Sequence, residues 1–253
     1  MILAVDIGNT NIVVGFLEKT NIIASGRVAT DRNKTSVDFL IQLKLMLSIY
    51  SIDINKLEGS ILSSVVPELT NELEIAMEKL LSKKPFIIGP GLKTGLNIKI
   101  DNPKSLGADR VCDAVCLIEE YEAPAIIIDM GTATTISVVD KNNNHIGGMI
   151  IPGIKTSLDS LSSHASQLPP ISLEKPKNLI GKNTIDCMNS GIIYGNASMI
   201  DGLIDRIKEE IGDVKVIATG GLAKLVIPYS KHEITYDPDL LLKGLYYIYK
   251  KNS

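Results

Sequence analysis

Asp6, Gly8 and Thr10 stand together in Asp6-Ile7-Gly8-Asn9-Thr10-Asn11, and the same residue types return in Asp129-Met130-Gly131-Thr132-Ala133-Thr134-Thr135. An Asp-x-Gly turn suits a nucleotide in two ways. Glycine lets backbone N–H groups approach phosphate oxygens, and the carboxylate can hold a cation or position water. The hydroxyls of Thr10, Thr132, Thr134 and Thr135 add neutral donors. One such turn alone reads as a hairpin that needs glycine; two copies point to phosphate. A third glycine signal, Ala218-Thr219-Gly220-Gly221-Leu222-Ala223, could let a flat ring lie against the backbone, or could serve as an ordinary strand-to-helix turn. Asp109 and Arg110 pair a carboxylate with a fixed fork of donors suited to polar oxygens; their plain alternative is a solvated charged pair near a helix start.

Positioning these groups requires strands on both sides of each turn. Ile2–Val5 and Ile12–Leu17 flank the first, and 125–129 and 136–139 flank the second, each pair reading as a strand, a tight turn and a strand. The two aspartates lie about half the chain apart, so a duplicated unit is the economical explanation. The boundary falls near 118–124, where Glu119-Glu120-Tyr121-Glu122-Ala123-Pro124 separates two apolar runs. This predicts halves at 1–118 and 119–253.

Apolar spacing predicts helices over 36–49, with Ser36 as N-cap, and over 69–82, with Thr70 as N-cap. Another helix should open just after Asn102-Pro103, with Ala108, Val111, Cys112, Val115 and Ile118 on one face and Asp109, Arg110 and Asp113 on the other. Further helices fit Ser190–Ile211 and Leu240–Tyr249, and strands fit Ser60–Val66, Pro85–Ile88 and Val214–Ala218. The class is α/β, with a mixed sheet in each half.

Of 253 residues, 45% are hydrophobic and 22% charged, and the net charge is -3. This excludes a disordered polyelectrolyte and gives little electrostatic footprint for nucleic acid or anionic lipid. The N-terminus has no basic region before its first carboxylate, and no stretch approaches a membrane span, so a cytoplasmic protein without a signal peptide is expected. Cys112, Cys116 and Cys187 read as buried reduced thiols rather than a zinc site or disulfide.

The paired turns and the Gly220-Gly221 signal resemble the sugar-kinase, actin and heat-shock-ATPase superfamily, which implies a duplicated two-domain actin-like ATPase fold closing over ATP. Phosphates would then sit between the two turns and the base against Gly220-Gly221. More specifically, Asp6-x-Gly8-Asn9-Thr10, Asp101-Asn102-Pro103 with Gly107-Ala108-Asp109-Arg110, Asp129-x-Gly131-Thr132-Ala133-Thr134-Thr135, Gly147-Gly148 with Pro152-Gly153-Ile154, Gly181-Lys182-Asn183-Thr184 and Ala218-Thr219-Gly220-Gly221-Leu222 occur in that order. This series is similar to type III pantothenate kinases and spans nearly the whole chain.

The resemblance implies phosphorylation of the terminal hydroxyl of pantothenate by ATP, the first step toward coenzyme A, by in-line γ-phosphoryl transfer. It places ATP on Asp6, Ile7, Gly8, Asn9, Thr10, Asn11, Ile12, Val13 and Thr132. It places pantothenate on residue 100, Gly107, Ala108, Asp109, Arg110 and Thr184, with Asp109 as general base. Asp6 would orient Mg2+ directly or through water, and Asp129 would hold a monovalent cation, K+ or NH4+. It also implies a homodimer with Thr184 near the interface. Gly191, Gly195, Ser198 and Gly202 form a small-residue stripe that could pack there or serve an intramolecular helix crossing. Ile100 replaces a tyrosine common in the family, removing one substrate hydrogen bond, and His164, in place of a common arginine, reads as a surface residue. A kinase for another small alcohol and a catalytically decayed nucleotide-binding regulator are the alternatives.

Overall fold

Strand β1, Ile2–Ile7, is buried along its whole length, as befits a continuous apolar run in the middle of a sheet covered on both faces. In the computed structural model, which describes residues 1–253, it is followed by β2 (Asn11–Glu18), β3 (Asn21–Ala29), α1 (Ser36–Ile49), β4 (Gly59–Ser64), α2 (Pro67–Leu81), the short β5 (Phe86–Ile87) and β6 (Asn97–Ile98), and α3 (Ala108–Glu120). β7 (Ala125–Met130), β8 (Ala133–Val139), β9 (Asn144–Pro152), α4 (Ile154–His164), α5 (Thr184–Ile211), β10 (Lys215–Thr219), α6 (Ala223–Val226), β11 (Thr235–Tyr236) and α7 (Leu240–Asn252) complete the chain. No helix is long and apolar enough to cross a membrane.

Two units result, Met1–Tyr121 with Asp239–Ser253, and Glu122–Pro238. Their topologies match. In the first, the order is β3-β2-β1-β4-β5, with β1-β2-β3 antiparallel and β1-β4-β5 parallel. In the second, β9-β8-β7-β10-β11 repeats that pattern strand for strand. Both sheets are mixed, and each opens with an Asp-x-Gly hairpin.

The last helix departs from the boundary drawn at 119. Residues 239–253 were expected in the second half, yet α7 packs on α3 within the first unit. Leu242, Leu245 and Ile248 join Ile2, Ala4, Ile61, Val111, Cys112 and Val115 in one buried cluster, and each Leu, Ile or Val side chain among them contributes about 1.5–3 kcal/mol on leaving water. Gly244 lies so close to the carbonyl of Cys112 that a Cβ would overlap it. The ion pairs Lys243–Glu120 at 2.9 Å and Lys251–Glu119 at 2.7 Å decorate the contact, and such pairs near the surface add little. The Tyr247 hydroxyl donates to Glu120 at 3.1 Å. Burial first, and then the Glu120 carboxylate, push its pKa up to about 12.

Several element ends also moved. Thr35, not Ser36, caps α1, in a capping box with Asp38. α2 begins at Pro67, so Thr70 lies inside it and its hydroxyl donates to Ser64 Oγ at 2.8 Å. Pro103 starts only a single 3-10 turn, and α3 begins at Ala108 behind Gly107. α5 starts at Thr184, capped by Asn183, rather than at Ser190. Cys112 and Cys116 are buried in α3, whereas Cys187 is exposed on α5, contrary to the expectation of a third buried thiol. His164 is exposed, as expected.

Candidate active site

In the first unit, Asp6 sits at the end of β1, only 6% exposed, opposite Val13 on β2 and Ser63 on β4. Its chain then turns sharply, and the Gly8 N–H donates to the Asn11 carbonyl at 3.0 Å to close the hairpin. The Val65 N–H donates to the Ile7 carbonyl at 3.0 Å, tying the turn to the segment after β4. The first turn of α3 brings in the other acidic group. Asp109 Oδ1 accepts the Arg110 N–H at 2.8 Å, and the carboxylate folds back over Gly107, where a Cβ would collide with it. An anion in a helical first turn is favoured by the helix dipole.

Burial pushes the Cys112 thiol well up, and the charges of Asp6, Asp113 and Asp109 push it further. One buried thiol thus feels three carboxylates, two on its own helix and one, Asp6, distant in sequence. Partial burial lowers the Arg110 pKa, and the charges of Asp109 and Asp113 oppose that shift. Asp113 is 3% exposed, so the outward polar face expected for it is corrected: it points inward beside Arg110.

The second unit assembles its own turn. Asp129 pairs with Thr135 in the hairpin and with Thr219 on the parallel neighbour β10. The turn is one residue shorter than the first, since Asp6 pairs with Val13, and the Gly131 N–H donates to the Ala133 carbonyl at 3.0 Å. Gly220, at φ +89, lies where a Cβ would sit 2.5 Å from Asp129 Oδ1 and 2.6 Å from the Met130 carbonyl. Only glycine meets both the backbone angle and the close approach. The Leu222 N–H donates to the Met130 carbonyl at 3.4 Å, and the Tyr236 hydroxyl donates to the Gly220 carbonyl at 3.4 Å. Gly153, the N-cap of α4, packs on the carbonyls of Gly131 and Thr132 with no room for a Cβ. The Asp129 turn, the Pro152-Gly153-Ile154 segment and the Gly220-Gly221 turn therefore meet in one place.

Thr184 stands apart from these contacts. It is exposed at the start of α5 and lines a groove of about 590 Å³ with Leu161, Leu168, Cys187, Met188 and Gly191. Cβ atoms added at Gly191, Gly195 and Gly202 would meet nothing within 4 Å, so no helix of this chain crosses the small-residue stripe. Ile100 is half-buried and packs against the core cluster shared by α3 and α7.

Each turn by itself offers hard oxygen donors, the buried Asp6 carboxylate with Thr10 in the first unit and the half-buried Asp129 carboxylate with Thr132 in the second; such oxygens fit Mg2+ or a large monovalent cation and do not fit a soft metal. Solved structures share this architecture. Component A of the (R)-2-hydroxyglutaryl-CoA dehydratase of Acidaminococcus fermentans matches with a TM-score of 0.58 and 16% identity, over 100% of this chain and 99% of that chain. A ROK family glucokinase from Streptomyces griseus, in complex with glucose and AMPPNP, matches with a TM-score of 0.52 and 14% identity, over 98% of this chain and 97% of that chain. The fold is that of the actin-like ATPases and sugar kinases.

Sequence comparison narrows the class. Type III pantothenate kinases of Halalkalibacterium halodurans and Exiguobacterium sibiricum are 46% and 42% identical over 253 residues, covering 100% of this chain and of each relative. Residues 2–206 match the family description "Type III pantothenate kinase", and the chain belongs to the type III pantothenate kinase family.

Proposed function

We infer that this chain is an ATP-dependent pantothenate kinase, transferring the γ-phosphoryl group to the terminal hydroxyl of pantothenate at the entry to coenzyme A synthesis. Full-length similarity to relatives of that name carries the reaction. Asp6 near the end of β1 and Asp109 in the first turn of α3, its carboxylate folded over Gly107, support the assignment of roles.

Phosphoryl transfer through a loose transition state needs alignment and charge neutralisation more than a strong base. Asp109 accepts the alcohol proton as the O–P bond forms, and Arg110, half-buried beside it, binds pantothenate oxygens through its fork of N–H donors. Gly107 and Ala108 lead the chain into that pocket. Asp6, Ile7, Gly8, Asn9, Thr10, Asn11, Ile12 and Val13 form one ATP phosphate turn, Thr132 supplies a contact from the other, and Gly220 with Gly221 supports the base. Asp6 would hold Mg2+, directly or through water, and Asp129 would hold K+ or NH4+; the cations supply positive charge that neutralises the phosphates. Ile100 offers no hydrogen bond, so substrate recognition falls more heavily on Arg110. We also assign a homodimer, joined near Thr184 through the open glycine stripe of α5, to a cytoplasmic enzyme. Light scattering checks the first part: the expected mass is twice 27.4 kDa, and a monomer at micromolar concentration rejects it.

ADP release from ATP, Mg2+ and K+ over a panel of small alcohols tests the reaction. Pantothenate should stand out. Equal turnover of an unrelated alcohol would favour a kinase of other specificity, and no turnover with any alcohol would favour a decayed regulator. Replacing K+ by Na+ at constant ionic strength should depress the pantothenate rate through Asp129. Equal rates in the two salts would remove that residue from the cation role.

A further inference from the structure

Each Asp-x-Gly turn is pinned from outside by a threonine hydroxyl. Thr30, directly after β3, donates its Oγ1–H to the Gly8 carbonyl at 2.7 Å, and its backbone N–H donates to the Thr10 carbonyl at 3.0 Å. Thr156, in the first turn of α4 and just after β9, donates its Oγ1–H to the Thr132 carbonyl at 2.8 Å. β3 and β9 are the third strands of matching antiparallel meanders. The two pins thus leave equivalent places in the duplicated topology, although nothing in the local sequences around Thr30 and Thr156 is alike.

A planar trans peptide points the carbonyl of one residue and the N–H of the next in opposite directions. Drawing the Gly8 carbonyl toward Thr30 therefore turns the Asn9 N–H away from Thr30. Drawing the Thr132 carbonyl toward Thr156 turns the Ala133 N–H away from Thr156. Glycine at 8 and 131 leaves these turns many backbone alternatives, so an external hydrogen bond selects one peptide orientation before the anion arrives. Donors held in advance raise affinity by lowering the ordering cost of binding.

We propose that Thr30 and Thr156 are positioning residues for ATP, each fixing a carbonyl so that the following N–H is set to meet a phosphate oxygen. The idea rests on the reading of both turns as phosphate sites. Neither threonine touches the reacting atoms. Their role is carried by Gly8 and Thr132.

The full-length enzyme with Thr30→Val, Thr156→Val and the two serine replacements provides the test. Valine keeps the shape and deletes the hydroxyl. Each valine variant should raise the KM for ATP about three- to tenfold, the range of one net hydrogen bond, while the KM for pantothenate and the Tm stay near wild type. The double variant should multiply the two effects, as expected for separate peptides, and serine should restore most of each loss. Unchanged KM for ATP in both valine variants overturns the proposal. Parallel shifts in Tm and in both KM values, without rescue by serine, also overturn it, because they mark a purely structural role. Hydrogen exchange on the wild type, with and without a non-hydrolysable ATP analogue, separates this from the underlying reading. Protection of amides in 8–11 and 131–133 with normal valine variants removes the pins alone; absence of protection removes the phosphate turns themselves, and the pins with them.

Discussion

Asp109→Asn lowers kcat about 10²- to 10⁴-fold, the usual range for a lost general base, and leaves the KM for ATP close to wild type. Asparagine keeps the size of the side chain, and its Oδ1 can still accept the Arg110 N–H that Asp109 now accepts at 2.8 Å. The first turn of α3 and the approach to Gly107 therefore survive. What disappears is the negative oxygen that receives the alcohol proton, together with a charge that favours the Arg110 guanidinium. Some loss of pantothenate affinity through Arg110 is compatible with this account, since that side chain lies in the same pocket. Steady-state kinetics with each substrate varied in turn gives the answer. Near-normal kcat removes Asp109 from the proton-accepting role, and Asp113, buried on the same helix, becomes the residue to replace next.

Gly153→Ala produces the second large effect, on stability and ATP binding together. The added Cβ overlaps the Thr132 carbonyl and lies 2.6 Å from that of Gly131. Both obstacles are backbone atoms, so no side chain can rotate out of the way. Either α4 retreats, drawing Thr156 from Thr132, or the turn after Asp129 deforms. Overpacking of this kind costs about 1–3 kcal/mol, which in a chain of this size lowers Tm by about 2–12 °C. The KM for ATP should rise at least about tenfold if the turn holds phosphate. Gly89→Ala is the control, because a Cβ there meets nothing within 4 Å, and its Tm should lie within about 2 °C of wild type. Wild-type Tm and ATP affinity in Gly153→Ala would show that the turn yields easily and has no fixed shape to lose.

Much of the architecture was legible because its causes are local. Alternating and continuous apolar runs around Asp6 and Asp129 announced two hairpins, and both formed. Helix ends are less legible: Thr35 rather than Ser36 holds the cap of α1, its N–H and Oγ1–H both donating to Asp38 Oδ2. Of the three residues expected on the polar face of α3, two keep contact with solvent. Asp109 and Arg110 remain partly exposed, while Asp113 turns inward, because the helix is covered on more sides than an apolar stripe alone reveals.

Residue types and order alone established the α/β class, the duplication, the candidate phosphate turns and the family resemblance, since strand periodicity, glycine turns and motif succession are written within short stretches. Tertiary structure alone decided that α7 returns to the first unit, that the Asp6 charge acts on the buried Cys112 thiol of α3, and that Thr30 and Thr156 reach their turns. Those outcomes depend on which distant surfaces exclude water and fit one another, and that choice is made by the folded chain as a whole.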